Sequence, residues 1–234
     1  YTSDLKRPWL SHRSVAYRDY LLARFSHLID ELGFDGLYFD QGTPVPSKNH
    51  EHRWFDHKGR ERAATDIIGM RSFFKRLATL FHTKGLPGHI FVHNSSSPIV
   101  PAFTFITGMV QGEEYRIRVD EIRTAFSPNQ YGVGSVWLSE LWSSRVRPKR
   151  FVNEPEWLAT EQYREAAQGF HGLALIHDVA TWSHGTEELR AFLVALRQRL
   201  QHEKAELIGY WRQENYSSNS PVLVSHYRPE TSMS

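Results

Sequence analysis

Apolar and polar positions along this chain fall into blocks with either a helical or a strand-like period. Across residues 14–32, apolar side chains recur every three or four positions and Gly33 ends the pattern, which predicts a helix. Residues 36–40 form a short apolar and aromatic run that predicts a buried strand. A second helix is predicted over residues 65–84 and a second strand over residues 90–92. The chain therefore opens with two repeats of a helix followed by a strand.

The same order continues through the rest of the sequence. Further strands are predicted over residues 105–110, 135–138 and 173–176, and further helices over residues 120–126, 156–169 and 186–203. Helices that alternate with short buried strands indicate parallel βα units, and the loops after the carboxyl ends of such strands gather on one face. Because all five predicted strands end in polar residues, we expect a functional site on that face.

No glycine-rich nucleotide-binding motif follows any of these strands, which disfavours a doubly wound nucleotide-binding fold. We therefore predict an α/β fold of the (β/α)8 TIM-barrel type. Five strands are fewer than a complete barrel needs, and the last stretch alternates with period two, as antiparallel strands do. We expect an incomplete barrel segment of a larger multidomain protein. Residues 1–205 would form later βα units of the barrel, and residues 206–234 would begin a following β-sandwich domain.

Composition and charge narrow the range of functions. The 28 Lys and Arg residues nearly balance the 26 Asp and Glu residues, so we predict no nucleic-acid partner. Cysteine is absent, which excludes disulfides, cysteine zinc sites and thiol catalysis. No apolar run is long enough to span a membrane. His50, His52 and His57 share one loop, but no metal-binding histidine motif occurs, so we predict neither a metal nor a cofactor.

Asp40 is the first candidate catalytic residue, because it ends the predicted strand over residues 36–40. Side chains alternate along a strand, so Tyr38 and Asp40 share one face and Phe39 lies on the other. A carboxylate at this end of a barrel strand faces the mouth, where such enzymes keep catalytic groups. Capping of a turn with Gly42 explains Asp40 equally well at this point.

Other predicted strands also end in polar residues that could act on a substrate. Glu113 and Glu114 are adjacent, so on an extended backbone only one of them can face a cleft. Glycoside hydrolysis commonly uses two carboxyl groups, and Asp40 and Glu113 lie at the ends of nearby strands. The candidates for substrate binding are Tyr38, His93, Asn94, Tyr115, Glu140, His177, Asp178 and Trp182. A Ser/Asn-rich turn is the alternative for His93 and Asn94, and a helix cap or a structural pair is the alternative for His177 and Asp178.

Six segments follow one another in a distinctive order: GFDGLYFDQG, GRERAATDIIGMRSFFKRLATLF, IFVHNSSSPIVPAF, GMVQGEEY, LALIHDVATW and GYW. Over most of residues 14–227, this order resembles a group of large bacterial proteins similar to glycoside hydrolase family 123. The resemblance implies a (β/α)8 catalytic barrel flanked by β-sandwich domains of the same chain. It also favours a secreted or periplasmic location.

Enzymes of family 123 are β-N-acetylgalactosaminidases. The resemblance implies an adjacent Asp-Glu pair that acts together with the acetamido group of the substrate. This chain has Glu113-Glu114 at that position. A mechanism that uses the two carboxylates Asp40 and Glu113 is therefore our preferred alternative.

The sequence thus predicts an enzyme, a glycoside hydrolase that cleaves O-glycosidic bonds of a carbohydrate by carboxylate acid/base catalysis. Glu113 would be the general acid, and Asp40 the nucleophile, base or transition-state stabiliser. A non-catalytic carbohydrate-binding barrel is the main alternative. A metal-dependent hydrolase is a third hypothesis.

Overall fold

The computed structural model describes residues 11–44, 46–47, 53–94, 98–112, 133–138, 149, 154–181, 186–202, 204–212 and 224–229. The helices in this part of the chain are α1 (Val15–Leu32), α2 (Ile67–Thr83), α3 (Glu154–Leu158), α4 (Glu161–Ile176) and α5 (Glu187–Arg199). The strands are β1 (Gly36–Phe39), β2 (Pro46–Ser47), β3 (Trp54–Phe55), β4 (Glu61–Arg62), β5 (Ala64–Thr65), β6 (His89–His93), β7 (Gly108–Gln111), β8 (Gly134–Trp137), β9 (Ala180–Thr181), β10 (Ala205–Ile208) and β11 (His226–Pro229).

The central element is a five-stranded parallel sheet with the strand order β1-β6-β7-β8-β9, flanked by helices. This sheet confirms the predicted α/β class. Three small antiparallel pairs accompany it: β2 with β5, β3 with β4, and β10 with β11. The chain divides into two compact units, Tyr1–Met109 and Val110–Ser234.

Helix α1 has the ends that the sequence predicts, because both ends carry the expected signals. The hydroxyl of Ser14 accepts a hydrogen bond from the N–H of Tyr17 at 3.3 Å, as an N-cap does. At the other end, the N–H of Gly33 donates to the carbonyl of Ile29 at 3.0 Å. Gly33 has a φ of 69°, in the left-handed region that favours glycine and ends the helix.

Aromatic rings from α1, β1 and α2 form the core of the first unit. Phe39 of β1 makes edge contacts with Phe73 and Phe74 of α2, at ring-centroid distances of 5.7 and 5.6 Å. It makes another edge contact with Phe25 of α1 at 5.6 Å. Phe73 and Phe74 are almost fully buried, and burial of one such ring contributes roughly 1.5–3 kcal/mol. These rings hold the two helices against one face of β1.

Asp66 caps α2 and also holds the segment that precedes α1. Its Oδ1 accepts a hydrogen bond from the N–H of Gly69 at 3.1 Å. Its Oδ2 accepts one from the hydroxyl of Ser11 at 2.8 Å and one from the N–H of Arg13 at 2.9 Å. Asp66 is buried, so these hydrogen bonds offset the cost of removing its carboxylate from water.

The core of the second unit forms around α3 and α4. Trp137 of β8, Trp157 of α3, and Tyr163 and Phe170 of α4 are all buried in one cluster. Thr160 separates the two helices, because its hydroxyl accepts a hydrogen bond from the N–H of Tyr163 at 3.1 Å and so caps α4. The single helix predicted over residues 156–169 is therefore two helices.

The strand predicted over residues 173–176 is wrong, because these residues form the last turn of α4. Leu173 and Ala174 are buried together with Phe170, which is the i, i+3, i+4 spacing of one helix face. A short apolar run after two glycines has the appearance of a strand in the sequence, but here it continues a helix.

Two further predictions differ from the structure or fall outside it. The strand predicted over residues 105–110 begins only at Gly108, because residues 104–107 still form the turn and bend that follow a 3-10 helix, Val100–Phe103. The helix predicted over residues 120–126 lies outside the described residues.

The last described residues form the predicted antiparallel strands, β10 and β11. The hydroxyl of Ser225 donates to the carbonyl of Ile176 at 2.6 Å, and the hydroxyl of Tyr227 donates to the carbonyl of Leu175. Both carbonyls lie in the last turn of α4, where the helix supplies no i+4 partner, and that of Leu175 also accepts a hydrogen bond from the N–H of Asp178 at 3.3 Å. This tail therefore caps α4, and the start of a separate β-sandwich domain at residue 206 stays a prediction.

Replacing Asp66 with alanine should lower the free energy of unfolding by about 2–3 kcal/mol, since a helix cap and two further hydrogen bonds are lost together. Urea denaturation followed by circular dichroism measures this loss. Asp19→Ala is a matched control, because the exposed ion pair of Asp19 with Arg76 contributes little. Equal losses in the two variants would contradict the role of Asp66.

Acid should destabilise the first unit through His12. Burial lowers the pKa of His12 from its ordinary value of 6.5, and the nearby Asp66 acts in the opposite direction. The folded protein then binds this proton less tightly than the unfolded chain does, so stability is present above pH 6.5 and is lost as the pH falls below it. We expect His12→Gln to flatten the pH dependence of the urea midpoint, and His82→Gln, at an exposed position, to leave it unchanged. An unaltered slope in His12→Gln would assign the acid response to other groups.

Candidate functional site

The packing of Phe39 decides which side chains of β1 face away from the helices. Strands β1 and β6 are parallel, and Tyr38 pairs with Phe91 while Phe39 pairs with Val92. Side chains alternate between the two faces of a strand. Because Phe39 packs on α1 and α2, Tyr38 and Asp40 therefore point to the opposite face of the sheet. His93 follows Val92 and so lies across from Asp40 at the carboxyl ends of the two strands.

Asp40 and His93 are in direct contact at this edge. Oδ1 of Asp40 lies 2.8 Å from Nδ1 of His93. An ionised carboxylate only accepts hydrogen bonds, so Nδ1 of His93 carries the proton and donates it. The side chain of Asp40 is 67% exposed and that of His93 is 7% exposed. The pair therefore consists of a buried histidine and a carboxylate that faces solvent.

An aromatic ring completes this cluster. The ring of Tyr38 stacks near that of His93, with 6.5 Å between centroids and 26° between planes, and Tyr38 is 48% exposed. Asn94, the next residue after His93, is fully buried and is not presented to solvent. Of the predicted site residues, the structure thus brings together Tyr38, Asp40 and His93.

The turn after β1 bears on the alternative that Asp40 is a turn cap. Gln41 adopts a φ of 51°, and a side chain at Gly42 would come within 2.7 Å of Cγ1 of Val92. The chain therefore needs glycine at position 42 to pass close to β6. Among the described residues, the hydrogen bond of Asp40 is made to His93 and not to the N–H of Gly42. This favours a positioned carboxylate over a turn cap.

Sequence reasoning missed Gln111, which ends β7 in the second unit. Gln111 is buried, and its Nε2 donates to the hydroxyl of Ser135 in β8 at 3.0 Å. Gly112 follows with a φ of 97°, and a side chain there would come within 2.5 Å of the ring of Trp137. These two residues fix the path of the chain just before Glu113. The signal was present, because Gln-Gly precedes the glutamate pair at a predicted strand end.

The predicted placement of His177 after a strand is wrong, because His177 follows α4 and precedes β9. This is the amino end of β9, whereas the catalytic residues of such folds gather at the carboxyl ends. His177 is fully buried. Its Nδ1 donates to the carbonyl of Leu173 at 2.7 Å, and its Nε2 lies 3.3 Å from the hydroxyl of Tyr210. His177 thus joins the end of α4 to the segment after β10.

Asp178, like His177, lies at the amino end of β9 and not at the carboxyl end, where the predicted substrate-binding role would need it. It makes a contact of its own. Its Oδ1 lies 2.9 Å from Nε2 of His202. Burial, and then the negative charge of Asp178, raise the pKa of Tyr227 well above its ordinary value. Tyr227 therefore keeps its proton and remains the donor to the carbonyl of Leu175. The His-Asp sequence pair thus serves the junction of α4 with the tail.

Several predicted site residues lie outside the residues that the structure describes: Glu113, Glu114, Tyr115, Glu140 and Trp182. Their roles stay predictions. Across the described ranges, no group of three or more His, Cys, Asp or Glu side chains is arranged to hold a metal ion. Within the same parts of the chain, no helix is both long and apolar enough to cross a membrane.

Comparison of the chain with protein families, with curated proteins and with solved structures found no match. The resemblance to glycoside hydrolase family 123 therefore stays a hypothesis that depends on the six quoted segments. The geometry of the first unit contributes an independent feature, an oriented Asp40–His93 pair beside Tyr38 at the carboxyl ends of two parallel strands.

His177→Ala should lower the free energy of unfolding by about 3 kcal/mol, because a fully buried ring and its hydrogen bonds are lost. Thermal and urea denaturation monitored by circular dichroism measure this effect. His226→Ala serves as the control, since His226 is exposed on β11 and should change stability little. A His177→Ala protein as stable as the control would contradict the structural role.

Proposed function

We propose that this chain is a catalytic part of a glycoside hydrolase in which Asp40 is one of two catalytic carboxylates. The position of Asp40 carries the proposal: it is 67% exposed at the carboxyl end of a parallel strand, with one oxygen hydrogen-bonded to His93. Catalytic groups of parallel α/β enzymes gather at this edge. In this proposal, the five strands and their helices form part of the wall of a (β/α)8 barrel.

The chemistry needs an acid that protonates the leaving oxygen and a second carboxylate that acts at the anomeric carbon. Glu113 is the proposed acid, and Asp40 is the nucleophile, the base or the stabiliser of the charged transition state. The hydrogen bond from His93 holds Oδ1 of Asp40 and so fixes the rotation of the carboxylate. Its other oxygen, Oδ2, is then directed toward the substrate before binding, which lowers the cost of reaching the transition state.

Tyr38 is the proposed contact for an apolar face of the sugar ring, because its half-exposed ring lies beside His93. Tyr115, Glu140 and Trp182 stay proposed subsite residues from the sequence. Asn94 is kept only as a buried neighbour that supports this edge. His177 and Asp178 are not part of the proposal, because both serve the end of α4.

The resemblance to family 123 implies a different division of labour, in which the acetamido group of the substrate replaces the nucleophile. Glu113-Glu114 would then act as the adjacent pair. The exposed and oriented Asp40 supports the two-carboxylate mechanism instead, since such a carboxylate has no stated role in the substrate-assisted one. Flanking β-sandwich domains and a secreted or periplasmic location belong to the same proposal.

A non-catalytic carbohydrate-binding barrel is the second candidate, and the Asp40–His93 hydrogen bond supports it too. A carboxylate held in one orientation can accept hydrogen bonds from sugar hydroxyls without any bond being broken. The two candidates therefore share a binding site and differ in turnover.

Asp40→Asn should reduce the hydrolysis of a glycan substrate by about 100-fold or more, and Glu113→Gln should do the same. A panel of nitrophenyl glycosides and oligosaccharides, with the products followed by NMR, identifies the substrate and measures the rates. Asp35→Asn is the matched control, because Asp35 precedes the same strand at its opposite end and should leave the rate unchanged.

The outcomes separate the candidates. Full activity in both Asp40→Asn and Glu113→Gln would overturn the catalytic assignment. Glycan binding by the parent protein without turnover, weakened in Asp40→Asn, would establish the second candidate in its place.

A further inference from the structure

The segment between β1 and α2 carries a hairpin with two large aromatic side chains on its surface. Strands β3 and β4 form it, with Trp54 across from Arg62 and Phe55 across from Glu61. Trp54 is 54% exposed and Phe55 is 59% exposed. Single exposed aromatic residues are ordinary on a protein surface, but adjacent ones on a short hairpin need a reason.

The hairpin is held in one shape by Asp56. Its Oδ1 accepts hydrogen bonds from the N–H of Lys58 at 2.9 Å and from the N–H of Arg60 at 3.0 Å. Its Oδ2 accepts from the guanidinium groups of Arg60 and Arg62, each with a 2.9 Å contact. Gly59 provides the left-handed residue of the turn, with a φ of 71°. Because the hairpin is preformed, a ligand that binds its aromatic rings does not have to order it.

The two rings are not equivalent. Side chains of neighbouring strand residues point to opposite sides, so Trp54 and Phe55 are on different faces of the hairpin. The guanidinium of Arg53 lies 5.7 Å from the centre of the Phe55 ring and covers part of it. Trp54 therefore offers the larger flat apolar face, which suits the C–H-rich face of a sugar ring.

The hairpin belongs to the same loop as the proposed catalytic residue. This loop leaves β1 at Asp40 and ends at Asp66, the N-cap of α2. Pairing of β2 with β5 closes its base, with Pro46 across from Thr65. Connections from a strand to the next helix usually have about 2–6 residues, and much longer ones usually carry function. The hairpin is therefore an insertion in the loop that follows the carboxyl end of β1.

We propose that Trp54 forms a subsite for a saccharide chain that extends beyond the Asp40 site. The ring stacks on one sugar unit of the chain, while Asp40 acts on another. Arg53 pairs with Glu61, and both Arg60 and Arg62 pair with Asp56, so the ring of Trp54 and not a charged group of the hairpin is the proposed contact. This inference rests on the proposed function, and it adds that the substrate is an oligomer or polymer.

Binding of two- and six-unit oligosaccharides tests the subsite. Cello-, chito-, xylo- and galacto-oligosaccharides are the probes, titrated calorimetrically against the parent protein and its variants. Trp54→Ala should weaken binding of the six-unit chain about tenfold and leave the two-unit chain within about twofold. Trp54→Phe should restore most of the loss. Tyr20→Ala, which removes an aromatic ring of similar exposure from α1, should bind both lengths like the parent.

Each outcome decides the inference. If the parent binds a glycan and Trp54→Ala binds each length as tightly as the parent does, the subsite is wrong while the proposed function stands. If the parent neither binds nor cleaves any probe, both proposals are wrong. If Trp54→Ala changes the sedimentation coefficient of the free protein, the ring is a contact between copies of the chain, which also overturns the subsite.

Discussion

The packing of Phe39 against α1 and α2 is the constraint on which the first unit and its candidate site depend. Phe25, Phe73 and Phe74 surround this ring. β1 has four residues whose side chains alternate between the two faces. A shift of its register by one position would therefore turn the carboxylate of Asp40 into that aromatic layer. The cost of burying an unpaired carboxylate excludes such a shift. The aromatic core therefore determines that Asp40 faces the open side of the sheet.

The second unit places the same residue types under a different constraint. The last turn of α4 carries carbonyl groups that have no i+4 partner within the helix, and the side chains of His177, Ser225 and Tyr227 donate to three of them. His177, which the sequence placed among the site residues, is thus a structural cap. Residue types that can act in catalysis indicate a site only when they lie at the carboxyl ends of the strands. His177 lies instead at the amino end of β9.

Contacts between residues that are close in the sequence could be predicted, and contacts between distant residues could not. The ends of α1 were predictable, because Ser14 and Gly33 act on residues three or four positions away. The shared face of Tyr38 and Asp40 followed from alternation alone. The contacts of Asp66 with Ser11 and Arg13 were not predictable, since more than fifty positions separate the partners. The Asp40–His93 hydrogen bond lies between these cases, because strand order predicts proximity but not the bond itself.

Asp40 is exposed whereas its partner His93 is buried, and a contribution to folding stability does not readily explain this difference in exposure. Contacts at exposed carboxylates contribute little to folding, because water competes for the same atoms. Asp66 shows the alternative within the same unit: it is 7% exposed and accepts hydrogen bonds from Ser11, Arg13 and Gly69. His93 is equally buried, yet its partner is 67% exposed. A buried histidine that orients an exposed carboxylate is the arrangement that the proposed reaction needs, because its carboxylate must point in one direction.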